Sequence, residues 1–166
     1  MEAVYQKLEG VSDVVSGFTG GTSTNPTYKG DHSGHYEAIE VTYDPSIISY
    51  TQLLEKYWVN VDPFDAGGQF CDRGPSYLSA IFVANDEQKN AAEQSRAAIT
   101  ESFAKSAHSQ TAAATAKIVT PVLAASPFYP VEEYHQDYFL KKPLRYKFYR
   151  SRCGRDARLT ELWSDR

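Results

Sequence analysis

A glutamate lies on one of the most regular segments of this chain. The run HYEAIEVTY alternates between two faces, as a half-buried strand does. Glu37 shares one face with three apolar or aromatic residues, which are Ile39, Val41 and Tyr43. Because burial disfavours the charged carboxylate and raises its pKa, we expect Glu37 to stay protonated near neutrality and to donate a hydrogen bond. In the simpler alternative, Glu37 lies near the strand end and reaches solvent, since buried unpaired carboxylates are rare.

Two tyrosines and an aspartate could complete a site around this glutamate. Tyr28 lies in the loop NPTY, whereas Asp72 and Tyr77 lie in CDRGPSY, where Cys71 precedes the aspartate. Tyrosine hydroxyls beside a protonated carboxyl would donate hydrogen bonds to a polar oxygen, as an oxyanion-type pocket does. Turn formation by Asp72 and core packing by the tyrosines would explain the same residues without chemistry.

A metal site is a second interpretation of the same region. The segment DHSGHYE places four oxygen or nitrogen donors within seven residues, namely Asp31, His32, His35 and Glu37. His35 and Glu37 share a face of the predicted strand, but no distant partner of comparable spacing completes the set. We therefore expect no bound metal.

The segment PFYPVEEYHQDYF is the third unusual stretch. Two prolines flank an aromatic pair, and a short polar helix, VEEYHQDYFLKK, is predicted to begin at Pro130 and to carry Tyr134, His135 and Tyr138. Proline at the helix start and acidic residues in the first turn are typical of a helix N-terminus. That explanation leaves the His-Gln pair unaccounted for.

Strands and helices alternate in the elements that must position these residues. Helices are predicted for MEAVYQKLEG, for LLEKYWVN behind a capping box at Ser49 to Gln52, and from Asn85 to about Ser106. Strands are predicted for VSDVVSGF, HYEAIEVTY, YLSAIFV and KIVTPV. Strands separated by helices, with a hairpin-like middle, indicate an α+β two-layer fold in one domain over residues 1–166. Residues 141–166 form a basic C-terminal tail.

Composition excludes several classes of protein. The formal net charge of −4 gives no general attraction to nucleic acid or to an anionic membrane. No apolar run approaches the roughly 18 to 20 residues that cross a bilayer, and the start does not resemble a signal peptide, so we expect a cytoplasmic protein. Cys71 and Cys153 lack metal-type spacing, so neither a disulfide scaffold nor a thiolate zinc site is expected.

Five segments, taken together, resemble the A-type peptide methionine sulfoxide reductases. They are GFTGG, NPTY, GHYEAIEVTYDP, the run from Asp72 to Ile81, and PFYPVEEYHQDY, and they occur in family order from Glu2 to about Tyr138. The family reduces methionine S-sulfoxide, free or in proteins, to methionine as a repair of oxidative damage. Its fold implies a two-layer α/β sandwich, ferredoxin-like, with helices flanking a mixed sheet.

The resemblance also implies roles for the residues singled out above. Glu37 would be the acid that binds and protonates the sulfoxide oxygen, helped by the hydroxyls of Tyr28 and Tyr77, with Asp72 in the same pocket. Three further residues would line the substrate pocket, which are Phe18, His35 and His135. No cofactor is implied. The external reductant would be thioredoxin, or dithiothreitol in its place, and the protein would be a monomer.

In the family, the attacking cysteine belongs to a Gly-Cys-Phe-Trp motif at the end of the first strand. That motif does not occur in these 166 residues, and Glu2 matches the glutamate that relatives carry just after it, so the nucleophile and the first strand are expected upstream of Met1. A resolving cysteine would then close a disulfide that thioredoxin reopens. Cys153 is the first candidate and Cys71 the second. The alternative is an inactive homologue that binds methionine sulfoxide or a partner without turnover.

Overall fold

The central sheet carries the predicted glutamate on one of its edge strands. The computed structural model describes residues 1–105 and 117–164. Its helices and strands, in chain order, are α1 (Glu2–Tyr5), β1 (Val11–Thr19), β2 (Tyr36–Tyr43), α2 (Tyr50–Trp58), β3 (Gly68–Gln69), β4 (Asp72–Arg73), β5 (Ile81–Val83), α3 (Asp86–Lys105), β6 (Val122–Ala124), β7 (Tyr129–Pro130), α4 (Tyr138–Lys141), α5 (Pro143–Arg152) and α6 (Arg155–Trp163). A 3-10 turn over Pro75–Tyr77 follows β4. The α+β class is confirmed, with helices flanking the strands.

The described strands form one three-stranded sheet and two smaller pairs. The larger sheet has the order β2-β1-β7 and is antiparallel, with Phe18 of β1 opposite both Glu37 of β2 and Tyr129 of β7. β3 and β4 form a short antiparallel hairpin, and β5 pairs with β6 in parallel. Among the described strands only β1 pairs on both sides, so β2 and β5 each have a free edge.

Two hydrophobic clusters hold these layers together. One lies between α1, β1, β2 and α2, and its buried residues are Tyr5, Val14, Ile48 and Leu53. The other lies between α2, α3, β5 and the segment at Ile118, and is centred on Trp58, which is 1% exposed. The Trp58 indole also donates to the Ser95 hydroxyl at 2.6 Å, so its single polar atom is satisfied.

The predicted capping box at the start of α2 is present. The Ser49 hydroxyl accepts from the backbone amide of Gln52 at 3.2 Å, and the side-chain oxygen of Gln52 accepts from the backbone amide of Ser49 at 2.8 Å. We expect Ser49→Ala to lower the free energy of unfolding by about 1 kcal/mol, because an N-terminal amide of α2 loses its acceptor. Urea denaturation measures this. Thr51→Ala in the same turn is the control, and an equal loss there would contradict the explanation.

Three of the predicted elements differ in extent from the observed ones. The strand expected for KIVTPV begins only at Val122. Before it, the Val119 amide donates to the carbonyl of Pro63, and pairing with β5 starts where the Ile81 amide donates to the carbonyl of Pro121. The YLSAIFV strand is likewise confined to Ile81–Val83. The first helix ends at Tyr5. The helix from Asn85 is confirmed as α3 to Lys105, and its last expected residue, Ser106, lies outside the described residues.

The helix expected from Pro130 begins later, at Tyr138. Asp137 adopts a left-handed conformation with φ of 55°, which interrupts a right-handed helix. The Gln136 side chain instead bonds to β1, accepting from the Ser16 amide and donating to the Ser16 carbonyl, both at 2.8 Å. The Gln136 side chain thus takes the place of a backbone partner for Ser16 next to the end of β7. This contact gives the glutamine of the His-Gln pair a structural role.

The basic tail folds into α5 and α6, and α6 packs against the body. Leu159 and Leu162 are buried, and the Arg158 guanidinium donates to the Asp62 carboxylate at 2.7 Å. The Trp163 indole donates to the carbonyl of Val61 at 3.3 Å. No helix in residues 1–105 or 117–164 is long and apolar enough to span a bilayer.

Candidate functional site

Glu37 lies at the start of β2, beside a cavity rather than in the core. The residue as a whole is exposed, as the alternative of a glutamate near the strand end predicted. Protein groups nevertheless crowd the carboxyl, and this desolvation raises its pKa. The nearby charge of Asp72 raises the pKa further, whereas a hydrogen bond from Tyr28 opposes the shift. The protonated form of Glu37 is therefore favoured relative to a free glutamic acid.

Tyr28 connects Glu37 to a group of stacked rings. Burial raises the pKa of the Tyr28 hydroxyl, and its hydrogen bond with Glu37 adds to the shift, so the hydroxyl remains a donor. Its ring lies edge-on to Phe18 at 5.0 Å and against His135 at 4.1 Å between centroids. The His32 ring stacks on Phe18 at 5.1 Å between centroids. These rings fix the direction of the Tyr28 hydroxyl.

Asp72 and Tyr77 approach Glu37 from the β3-β4 hairpin and the 3-10 turn behind it. The hairpin is tight because Phe70, at its bend, has φ of 57°. Burial raises the pKa of Tyr77, and the charges of Glu37 and Asp72 raise it further. All three residues line the same cavity. The structure thus brings together the four residues predicted to carry the chemistry, which are Tyr28, Glu37, Asp72 and Tyr77.

A cavity of about 720 Å³ opens between the free edges of β2 and β5. Glu37, Asp72 and Tyr77 line it, together with Met1 and Arg155. Ten or more non-hydrogen atoms of a substrate fit easily in such a volume. Hydroxyl and carboxyl donors on one wall and a guanidinium on another allow the cavity to bind a small polar oxygen next to an apolar chain.

None of the three expected pocket residues, Phe18, His35 and His135, is among the residues that line this cavity. His35 is 1% exposed and its ring is held by a loop, accepting from the Gly21 amide at 3.3 Å and bonding to Ser23 at 3.0 Å. Phe18 is also 1% exposed, behind Tyr28. The loop and the ring stack enclose both side chains, so neither lines this cavity, and their contact with substrate stays a prediction. His135 touches Tyr28 and is half-buried.

The donor-rich segment DHSGHYE is spread apart by the fold. Asp31 accepts from the Ser33 amide at 2.8 Å, His32 bonds to the carbonyl of Thr27 at 3.1 Å, and His35 points into the loop described above. In the described part of the chain, no three His, Cys, Asp or Glu side chains are placed to hold a metal ion.

The two cysteines are joined to each other, a pairing that was not predicted from the sequence. Cys71 and Cys153 form a disulfide with Cα atoms 5.2 Å apart. Cys71 immediately precedes Asp72, so the disulfide attaches the end of α5 to the edge of the site. Their separation of 82 residues gave no local signal for the pairing.

Arg155 and Tyr149 are site residues that sequence reasoning missed. The Arg155 guanidinium stacks over the Phe70 ring at 4.6 Å and donates to the carbonyl of Asn60 at 2.8 Å, and burial lowers its pKa. The Tyr149 hydroxyl donates to the Asp72 carboxylate. The only signal in the sequence was their place in the basic tail, which carries no information about where the tail folds.

The raised pKa of Glu37 predicts a pH-dependent stability difference. A carboxyl whose pKa is raised by folding stabilises the protein below its unfolded pKa and loses that contribution as pH rises through the folded pKa. We therefore expect Glu37→Gln to gain stability relative to the wild type as pH rises from about 4.5, with the gain levelling off above the folded pKa. Chemical denaturation across pH 3 to 9 (about the range spanned by carboxyl titration) measures this.

Glu40→Gln, on the opposite face of β2, controls for the loss of one carboxylate. A pH-independent difference between Glu37→Gln and the wild type would show that Glu37 titrates normally.

Comparisons with known proteins agree with this geometry. A sequence profile described as peptide methionine sulfoxide reductase matches residues 1–166. Peptide methionine sulfoxide reductase MsrA 2 of Caulobacter vibrioides is 47% identical over 98% of this chain and 79% of its own length. MsrA of Bacillus licheniformis is 44% identical over 96% of this chain and 84% of its own length. The solved methionine sulfoxide reductase A of Corynebacterium diphtheriae superimposes with a TM-score of 0.75 at 30% identity, over 86% of this chain and 69% of that one.

The matched relatives share one activity, and the donors gathered at the cavity suit a substrate with a polar oxygen. The profile and both relatives cover nearly the whole chain, including every element that contributes to the site. The chain belongs to the peptide methionine sulfoxide reductase family, the thiol-dependent oxidoreductases that reduce methionine sulfoxide to methionine.

Proposed function

We propose that the cavity beside Glu37 binds methionine S-sulfoxide through the sulfoxide oxygen. The single observation that supports this most is the convergence of Tyr28, Glu37 and Tyr77, three groups whose pKa values are all raised, so that folding favours the protonated form of each. In their protonated forms, these three groups donate hydrogen bonds that stabilise the negative charge on a sulfoxide oxygen, without carrying a charge that would need hydration. The methionine side chain then extends along the apolar wall of the cavity.

In this proposal, Glu37 is the general acid of the reduction. A cysteine thiolate attacks the sulfoxide sulfur, the oxygen accepts a proton from Glu37, and methionine leaves as the cysteine becomes a sulfenic acid. Tyr28 and Tyr77 orient the oxygen, and Asp72 holds the hairpin side of the pocket. Phe18 and His135 support Tyr28 from behind, and His35 fixes the loop that carries it.

The attacking thiolate is proposed to come from a segment that precedes Met1. Cys71 and Cys153 are engaged with each other, and Met1 lines the cavity next to the free edges of β2 and β5. The amino group of Met1 lies near enough to Glu37 to influence its pKa. A residue attached there by a peptide bond enters the same cavity, and an extended segment can pair with either free edge.

We propose that Cys153 and Cys71 then regenerate the enzyme. The Cys153 thiol attacks the sulfenic acid and releases water, and the Cys71 thiol displaces the nucleophile, which leaves the Cys71–Cys153 disulfide. Thioredoxin, or dithiothreitol in vitro, supplies the two electrons that reopen it. Disulfides in the cytosol are usually transient and catalytic, which suits a cytoplasmic monomer that is recycled in this way.

A coupled assay tests the proposal. Thioredoxin-dependent consumption of methionine S-sulfoxide and R-sulfoxide is measured for the 166-residue chain and for an extended chain, in which a strand ending in Gly-Cys-Phe-Trp precedes Met1. We expect turnover of the S-sulfoxide alone, and only by the extended chain. Equal turnover by both chains would place the nucleophile at Cys71 or Cys153, and failure of both would refute the proposal.

A further inference from the structure

Tyr149 contacts the site from an element that contributes no other residue to it. It lies on α5, and its hydroxyl donates to the Asp72 carboxylate across 77 positions of sequence. The contact lies at the edge of the cavity, since Asp72 lines the cavity and the Tyr149 side chain is 48% exposed. Burial raises the pKa of Tyr149, and the hydrogen bond to Asp72 adds to the shift, so the hydroxyl keeps its proton.

The disulfide links the same two segments. Cys71 is the residue before Asp72, and Cys153 follows Tyr149 by one helical turn, with the Cys153 amide bonded to the carbonyl of Tyr149 at 2.9 Å. The hydrogen bond and the disulfide therefore span the same gap between α5 and the β3-β4 hairpin. Formation of either bond therefore brings the two partners of the other bond close together.

Besides these two links, α5 contacts the neighbouring helices α4 and α6, with Arg150 paired to Asp156 and the Tyr146 ring near that of Phe139. None of its residues is buried, and two of its large apolar side chains, Leu144 and Phe148, are 81% and 67% exposed. The firm contacts of the tail with the body lie beyond it, in α6, where Arg158 pairs with Asp62. A helix without a buried face depends on a few specific contacts for its place.

We propose that Tyr149 is a positioning residue that fixes the Asp72 carboxylate, and that the Cys71–Cys153 disulfide holds Tyr149 in place. When a dithiol reduces the pair, the S–S bond breaks, two thiols form with two electrons and two protons from the dithiol, and the dithiol becomes a disulfide. Tyr149 then leaves Asp72, whose carboxylate turns to the cavity. The site thus differs between the oxidised and reduced enzyme. The functional meaning of this inference rests on the proposed role of Asp72 in the substrate site.

The proposal requires the two contacts to stabilise each other. If the disulfide favours the hydrogen bond, the hydrogen bond must favour the disulfide by the same factor, because coupling between two equilibria is reciprocal. A net hydrogen bond contributes about 1 kcal/mol, which corresponds to a factor of about five in an equilibrium constant. The equilibrium constant for forming the disulfide should fall by that factor when the hydrogen bond is removed.

A double-mutant cycle on the 166-residue chain tests this without any substrate. The chain, Tyr149→Phe, Asp72→Ala and the double variant are equilibrated with mixtures of reduced and oxidised glutathione, and the fraction of disulfide is measured by thiol trapping and mass spectrometry. We expect Tyr149→Phe to lower the constant about fivefold when Asp72 is present and to leave it unchanged in the Asp72→Ala background.

Tyr146→Phe is the matched control, since that hydroxyl lies on the same helix but accepts from Arg150 at 3.3 Å. An unchanged constant in Tyr149→Phe, or an equal fall in both backgrounds, would overturn the proposal. Because the readout is the disulfide itself, its outcome does not depend on whether the cavity binds methionine sulfoxide. Failure of the coupled assay would leave this result intact.

Discussion

Glu37→Gln in the extended chain should lower kcat/KM for methionine S-sulfoxide by about a thousandfold. General acid catalysis typically contributes a factor of about 10² to 10⁴, and glutamine keeps the size and a hydrogen-bond donor but cannot give up a proton. Most of the loss should therefore appear in kcat, with a small change in KM. Stopped-flow measurement of the first turnover separates this step from recycling by thioredoxin.

The pH profile distinguishes proton donation from a general loss of structure. The wild-type rate should fall as pH rises through the raised pKa of Glu37, because the carboxyl must be protonated to act. In Glu37→Gln that fall should disappear from the residual rate. Glu40→Gln on the same strand should retain the wild-type profile. A Glu37→Gln variant with more than about a tenth of the wild-type kcat would rule out the acid role.

Gly68→Ala should be among the most destabilising single substitutions in the chain, and it should also displace Asp72. A Cβ atom at this position would lie 2.1 Å from the carbonyl oxygen of Asp72 and 2.9 Å from the Arg73 Cα. Both are backbone atoms, so the hairpin itself must move. The φ of +148° adds strain for any side chain. We expect a loss of about 3 kcal/mol or more in the free energy of unfolding.

Gly74→Ala separates the collision from the backbone strain. Gly74 directly follows the second strand of the same hairpin and has a φ of +122°. Apart from its chain neighbours, no atom lies within 4 Å of its added Cβ. It should cost about 1 to 3 kcal/mol, from backbone strain alone, and less than Gly68→Ala, which adds the collision to a similar strain. Thermal and urea denaturation of both variants provide the comparison. If Gly74→Ala were as damaging as Gly68→Ala, the close approach to Asp72 would not be the cause.

Local sequence patterns predicted the parts of the fold that local interactions determine. The alternation of HYEAIEVTY predicted β2, and Ser49 with Gln52 predicted the start of α2, because each signal lies within the element that it describes. Tyr28, Glu37 and Tyr77 could be proposed as a group because short, distinctive segments carry them. Glu37 also illustrates the limit of periodicity, since the strand pattern could not decide between a core-facing carboxyl and one at an open strand end, and the structure places it beside a cavity.

Contacts between distant segments could not be predicted in this way. Gln136 bonds to Ser16, Tyr149 to Asp72, and Arg155 to Asn60, and each pair is separated by at least 77 residues. Charge alone identified the tail as basic and gave no indication that it folds over the site. The same limit applied to the disulfide, because cysteine spacing reveals a pairing only in short or repetitive frameworks.

Calorimetric titration of methionine S-sulfoxide into the 166-residue chain tests the central claim most directly. The claim is that Tyr28, Glu37 and Tyr77 together bind the sulfoxide oxygen, and binding requires no nucleophile. We expect the S-sulfoxide to bind, and Glu37→Ala and Tyr28→Phe to weaken it by about tenfold each, since each removes a hydrogen bond to the oxygen. The R-sulfoxide and methionine should bind more weakly than the S-sulfoxide. Equal affinity for the S-sulfoxide in the wild type and both variants, or no binding at all, would contradict the account.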